Sequence, residues 1–173
     1  KELIALAQSK PGALSYGSAG NGTVNHLIGE MFNVAAKTGL AHIPYKGAAA
    51  ALNDVLSGEL PLAFVSMPSS ISFVKSGQLV ALGATTKKRI ASLPQVPAIG
   101  ETIAGFGADP WYGLFAPIGT PKPIIARLHA AIIDALRSAD VKHKLALQGA
   151  EPFVSDPEKF AAMLKSEMAN WAK

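Results

Sequence analysis

Cysteine is absent from the 173 residues, which closes off disulfide frameworks, thiolate metal sites and cysteine nucleophiles. Aromatic residues are scarce at 7%, and no basic stretch is interleaved with them. The clustered, stacking-capable stripe that tracks nucleic acid is therefore missing, and no nucleic-acid partner is expected. No apolar run approaches the roughly eighteen residues of a membrane-spanning helix. The opening Lys1-Glu2-Leu3-Ile4 shows neither an initiator Met nor a signal-peptide pattern, and it reads as a cut rather than a natural start. Charge is thin as well. Only 16% of residues are Asp, Glu, Lys or Arg, and the net charge of +4 comes from cations scattered in ones and twos, apart from Lys87-Lys88-Arg89. That run is expected to be a solvated loop.

What is present is apolar, at 49%, which excludes a disordered chain and is enough for one good core or two small ones. The most informative stretch is Tyr16-Gly17-Ser18-Ala19-Gly20-Asn21-Gly22-Thr23, a glycine-rich turn between a short apolar run and a helical pattern. Glycines at 17, 20 and 22 permit a tight turn with exposed amides, and the next helix adds its unpaired first-turn N–H groups and positive dipole end. Such a place holds an anion. No Gly-Lys-Ser/Thr follows, and the glycines are spaced G-x-x-G-x-G rather than G-x-G-x-x-G, so a carboxylate is a better guest than a nucleotide phosphate.

The remaining pattern alternates. Residues 1–10 have helical spacing and stop at Pro11-Gly12; 14–18 read as a strand; from Thr23, Leu27, Ile28, Met31, Phe32 and Ala35 form a helical stripe that Gly39 ends. Further strands are predicted at 40–45, 61–66 and 79–86, with helices at 48–56 and 69–76 between them. Short apolar strands alternating with helices imply a parallel sheet covered on both faces, with ligands at the carboxyl ends of the strands. Ser18, Tyr45, Lys46 and Ser66 all emerge there.

From 87 to 109 prolines and glycines dominate, with at most a short helix near 98–103, and the segment reads as a connection. An aromatic strand is predicted at 111–116. Helices follow from Thr120-Pro121, over 141–148 capped by Asp140, and over 157–171 capped by Ser155 or Asp156, with a short strand at 151–154. Three tail helices have little sheet to pack on.

Five stretches in one order carry a family likeness: residues 16–23, His42-Ile43-Pro44-Tyr45-Lys46-Gly47, Leu93-Pro94-Gln95-Val96-Pro97, the run from Trp111 to Pro121, and Gly149-Ala150-Glu151-Pro152. Together they resemble the Bug (TctC-type) solute-binding receptors of tripartite tricarboxylate transporters, over essentially the whole chain. The resemblance implies an α/β fold of the periplasmic binding protein type II kind: one complete lobe with a mainly parallel sheet over residues 12–104, and a partial, helix-rich lobe with the interlobe crossing in 1–11 and 105–173. It implies a periplasmic, non-enzymatic receptor without metal or cofactor. That receptor would capture a small organic mono- or dicarboxylate and hand it to membrane permease subunits.

Carried over by residue, Ser18, Ala19, Gly20, Gly22 and Thr23 would grip a carboxylate, with Tyr45, Lys46 and Ser66 at the adjacent strand ends. Two departures matter. Many relatives have an Asp where Val65 precedes Ser66-Met67-Pro68-Ser69, and its absence favours a plain acid over an amino acid. The front half of the first lobe, with its own ligand loop, has no counterpart, so the chain is expected to be a truncated one that binds free ligand weakly or pairs with a second copy as a homodimer.

Two other readings stand beside the receptor. The effector-binding domain of a transcription regulator shares the two-lobe fold, but no helix-turn-helix pattern is present. A serine hydrolase could be drawn from Ser18, His26 and Asp54, but no G-x-S-x-G nucleophile elbow supports it. The histidines at 26, 42, 129 and 143 lack metal-ligand spacing and read as surface or packing residues. Of Trp111, Tyr112 and Phe115, strand alternation would turn at least half into a core, and Trp171 would pack with Leu164 and Met168.

Overall fold

A computed structural model describes residues 1–171. The chain divides into two compact units, 1–112 and from Gly113 on. In the first, helix α1 (Glu2–Ser9) precedes strand β1 (Ser15–Ser18), helix α2 (Val24–Ala36), strand β2 (Ala41–Pro44), and helices α3 (Ala48–Ser57) and α4 (Met67–Lys75). The second carries α5 (Lys122–Arg137), α6 (Ala139–Leu147) and α7 (Pro157–Trp171).

β1 is the axis of the first unit. It pairs in parallel with β2, Tyr16 facing His42 and Gly17 facing Ile43 in register. On its other edge Gly17 forms a parallel bridge to Ala63, donating its N–H to Leu62 O at 3.0 Å and accepting from Phe64 N–H at 2.9 Å. Alternation sends Tyr16 and Ser18 to one face and Gly17 to the other. The Tyr16 face is closed by α1 and α2 through Ala7, Ile28, Phe32 and Ala36, with Leu40, Phe106 and Ala108 completing that core. Gly17 lies under the α3 side, where a Cβ would come 2.6 Å from Leu60 and 3.2 Å from Ala51. β1 is covered on both faces, whereas Ala41, Ile43 and Pro44 of β2 stay exposed.

Four predicted strands differ from the structure. Residues 61–66 contribute one bridge rather than a ladder, because Pro61 has no N–H to give and only the edge toward β1 is matched. In 79–86 the one bridge is at Ala84, which donates to Pro97 O and accepts from Ile99 N–H, both at 2.8 Å. Val80 and Leu82 stay 81% and 60% exposed, so this apolar run has a strand's composition without a strand's neighbour. Residues 111–116 and 151–154 form no ladder either. β-propensity describes a fit to a pleated, half-covered surface, and these segments lack that surface.

The proline-rich 87–109 is closely packed: Leu93, Val96, Ala98, Phe106 and Ala108 are buried, around a single 3₁₀ turn at Ile99–Glu101. Its fastening is a two-pronged ion pair, Arg89 Nε to Glu101 Oε1 and Arg89 Nη2 to Glu101 Oε2, each 2.7 Å, with Arg89 Nη1 also donating to Pro94 O. Arg89 thus has a structural partner where the sequence suggested only solvated charge.

In the second unit none of the described residues is buried. Ile124 and Leu128, apolar residues one turn apart on α5, are each about half exposed, and Met168 and Trp171 are 66% and 38% exposed, so the expected packing of Trp171 leaves much of both in solvent. Two caps also differ. Thr120 Oγ1 turns back to Pro117 O at 2.8 Å, leaving Pro121 as the residue before α5, and α6 is capped by Ser138, whose Oγ accepts from Val141 N–H at 3.3 Å. Asp140 instead pairs with Lys144 one turn on.

Two predictions follow from the first unit. A methyl at Gly29 would overlap the ring of Tyr16, reaching within 2.6 Å of its hydroxyl oxygen, and Tyr16 is fully buried and cannot yield. Gly29→Ala should therefore lower stability by about 1–3 kcal/mol in urea unfolding, despite alanine's better helix propensity. The Arg89 fork, with help from Ala98 N–H, holds the Glu101 carboxyl at about 2, below its usual 4.5. A depressed carboxylate contributes its stability above the unfolded value and loses it as pH falls toward the folded one. Urea midpoints of the native chain and Glu101→Gln should accordingly differ at pH 7 and converge between pH 4.5 and 2.

Candidate functional site

The carboxyl ends of β1, β2 and the 62–64 segment lie along one edge, and each runs directly into a helix: α2 after Thr23, α3 after Gly47, α4 after Ser66. None of these three starts is closed by a side-chain cap. Thr23 Oγ1 points instead to Gly20 O at 2.7 Å, and Ser66 Oγ meets Ser69 Oγ at 3.0 Å. In α2 the first intrahelical bond joins Leu27 N–H to Thr23 O, so the N–H groups of Val24, Asn25 and His26 precede the ladder. Three positive helix ends converge on one rim.

The glycine turn and the β2–α3 connection are tied side by side. Tyr45 N–H donates to Ser18 O at 3.2 Å and Gly47 N–H to Ala19 O at 3.1 Å. Gly20 has φ 134° and Gly22 φ 73°, conformations that an L side chain rarely adopts, and a Cβ on Gly20 would sit 3.1 Å from Tyr45 O. The turn demands glycine at both places. Ala19, Gly20 and Thr23 are half-buried, Asn21 and Gly22 exposed. Lys46 is exposed beside them, and Tyr45 is held back from the rim by a 2.5 Å bond from its hydroxyl to Asp54 Oδ2, which raises the phenol's pKa. Ser66 stands at the end of the neighbouring segment, bonded through its O to Ser70 Oγ.

Ser18 itself is fully buried. Its hydroxyl faces inward, accepting from Gly20 N–H at 3.1 Å and meeting His42 Nε2 at 2.7 Å. His42 stacks on His26, ring centroids 4.0 Å apart, and on Tyr16 at 5.0 Å. Tyr16 donates to Glu30 Oε1 at 2.7 Å, and burial followed by this bond drives the phenol's pKa well above its ordinary value. Burial, then the neighbouring His26, pushes the His42 pKa down, with Glu30 opposing.

The drawn triad of Ser18, His26 and Asp54 is therefore not assembled: Ser18 meets His42, and Asp54 belongs to Tyr45. Nor are His26 and His42 plain surface or packing residues, since both carry hydrogen bonds to the turn. Sequence reasoning missed them, along with Tyr16 and Glu30. The available signal was the parallel pairing of residues 16 and 42, which puts a histidine next to the strand that feeds the turn. Among the described residues no group of three or more His, Asp or Glu is placed to hold a metal.

Comparison with known proteins agrees with this architecture. The family profile described as "Tripartite tricarboxylate transporter family receptor" (TctC) matches residues 1–173. Protein BugT of Bordetella pertussis is 33% identical over 98% of the chain and 52% of its own length. Among solved structures, Rpa4515 of R. palustris with adipate superposes with a TM-score of 0.94 at 31% identity, covering 99% of the chain and 57% of that protein. MatC of Rhodopseudomonas palustris with bound malate gives 0.85 at 28%, over 98% and 59%. The chain thus spans a little over half the length of these proteins, in the fold of periplasmic binding proteins. It belongs to the TctC family of tripartite tricarboxylate transporter receptors.

Proposed function

We propose that this chain supplies a carboxylate grip of a solute-binding receptor that captures a small organic mono- or dicarboxylate in the periplasm for permease subunits of a tripartite transporter. The observation that carries the reading is the convergence of three uncapped helix starts and a glycine turn on one rim. In it, one carboxylate sits over Ala19, Gly20 and Gly22 against the open N–H groups at the start of α2 after Thr23, while the Gly20 and Gly22 amides are tied to Ser18 Oγ and His26 Nδ1 and set the shape of the turn, with Ser18 bracing it from beneath. Tyr45 and Ser66 border the site, and Lys46 contributes a solvent-screened attraction. The grip is made mainly of backbone, so it recognises charge and position without a strong ion pair.

Residues 12–104 carry the grip in this proposal, with Ala7 of α1 and Phe106 and Ala108 packed into the same core, and the tail from 113 on belongs to the other lobe and the crossing. Closure of a second lobe would remove water and strengthen these bonds. The grip alone should then be weak, and apolar residues left exposed in the tail favour association with a second copy. Adipate and malate in two solved relatives set the ligand class to try first. Val65 offers no carboxylate to a ligand ammonium, which favours these acids over aspartate. The receptor is not an enzyme in this reading.

Calorimetric titration of the chain with adipate, malate and aspartate tests it. Adipate or malate should bind, aspartate less well, and Gly20→Ala should weaken binding about tenfold by straining the turn and misplacing its amides. No heat with any carboxylate at millimolar concentration overturns the reading. So does ester turnover that Ser18→Ala abolishes.

A further inference from the structure

The two ends of the glycine turn are fastened to two different imidazoles. Gly22 N–H donates to His26 Nδ1 at 3.2 Å. A backbone N–H can only donate, so Nδ1 holds a lone pair and a neutral His26 carries its proton on Nε2. At the other end Gly20 N–H donates to Ser18 Oγ, which lies 2.7 Å from His42 Nε2. Ser18 has one proton and two acceptors in reach, His42 Nε2 and Gly20 O at 3.2 Å. Gly20 O already accepts from Thr23 Oγ1 at 2.7 Å and Thr23 N–H at 3.3 Å. The shorter and uncontested bond is Ser18 O–H to His42 Nε2, which makes His42 the Nδ1–H tautomer. The rings themselves lie stacked, 22° from parallel.

We propose that His26 and His42 are positioning residues for the glycine turn: each neutral ring accepts a hydrogen bond at one end of it, His26 directly and His42 through Ser18, so the turn keeps its form only while both stay unprotonated. The role of the turn in holding a carboxylate rests on the reading given above. The fastening of the turn does not.

The chemistry of the neighbourhood supports the pair as a unit. Protonating His26 removes the acceptor of Gly22 N–H. Protonating His42 makes Nε2 a donor and forces the Ser18 proton onto Gly20 O, where Thr23 already supplies two hydrogens. The His26 ring stacked 4.0 Å away disfavours a charge on His42. The titratable groups facing the pair are Glu30, on α2 one turn beyond His26, and Tyr16 on β1, which occupies Glu30 Oε1 with its hydroxyl and stacks on His42. Burial and His26 both lower the pKa of His42, so at neutral pH it is in the accepting form.

The test uses the whole chain without ligand first. Nitrogen-15 spectra at pH 7.5 should show His42 as the Nδ1–H tautomer and His26 as Nε2–H. On acidification the amide shifts of Gly20 and Gly22 should move with the midpoints of the two imidazoles. His42→Gln, whose Oε1 takes the place of Nε2, should hold Gly20 in its native position and remove the pH dependence that belongs to His42. His42→Leu should speed amide exchange at Gly20 about three- to tenfold, the worth of one hydrogen bond. Adipate titrations then give the functional readout, with affinity lowered about three- to tenfold in His42→Leu and restored in His42→Gln. Either ring in the opposite tautomer, or glycine amides indifferent to imidazole titration, overturns the proposal, and both readouts come from the native chain even if a variant fails to fold. Native tautomers as expected with no adipate binding would sink the carboxylate reading and leave the fastening of the turn intact.

Discussion

How closely β1 approaches its covers is the constraint on which the first unit depends. Tyr16 lies against Gly29 of α2 with no room for a single methyl, while on the other face Gly17 leaves a Cβ-sized space filled by Leu60 and Ala51. Close approach there puts α2 and α3 directly onto the sheet, so their N-termini open at the same edge as the strand ends. A strand of four residues with neighbours on both edges then suffices to aim the glycine turn. Small residues at 17 and 29 are thus part of the site, although neither reaches its rim.

Burying Tyr16, Ser18 and half of His42 under that turn raises a second demand, that every polar atom be satisfied. The Tyr16 hydroxyl goes to Glu30, the Ser18 hydroxyl to His42, and the carbonyls of Ser18 and Ala19 to the amides of Tyr45 and Gly47. These bonds account for the inward side of the turn. The outward side, where the starts of α2, α3 and α4 face the rim, has no side-chain caps. That asymmetry, satisfied within and open at the helix starts, is the feature on which the proposed carboxylate grip relies.

Helices were the most legible elements. The stripe Leu27, Ile28, Met31, Phe32 and the breakers Pro11-Gly12 and Gly39 delimit elements that the structure reproduces within a few residues, because helical hydrogen bonds are local. Strands were legible only where a neighbour exists. Val80 and Leu82 read as strand and remain exposed, since a ladder depends on a second segment that composition cannot supply. The same reason explains the tail: α5 carries an apolar stripe in its sequence, yet none of its residues is buried.

For the site, residue order alone was enough to single out Ser18 to Thr23, Tyr45, Lys46 and Ser66, since turn glycines, first-turn hydroxyls and strand ends are marked by local chemistry. The family likeness was also readable at that level, from five motifs in order. Folding decided the rest. Whether Ser18 faces ligand or interior, which histidine it meets, and that Asp54 is taken by Tyr45 all depend on parallel register and on side-chain burial. Those relations join residues 9 to 24 positions apart, and only the packing of α2 and α3 on β1 brings them within a hydrogen bond.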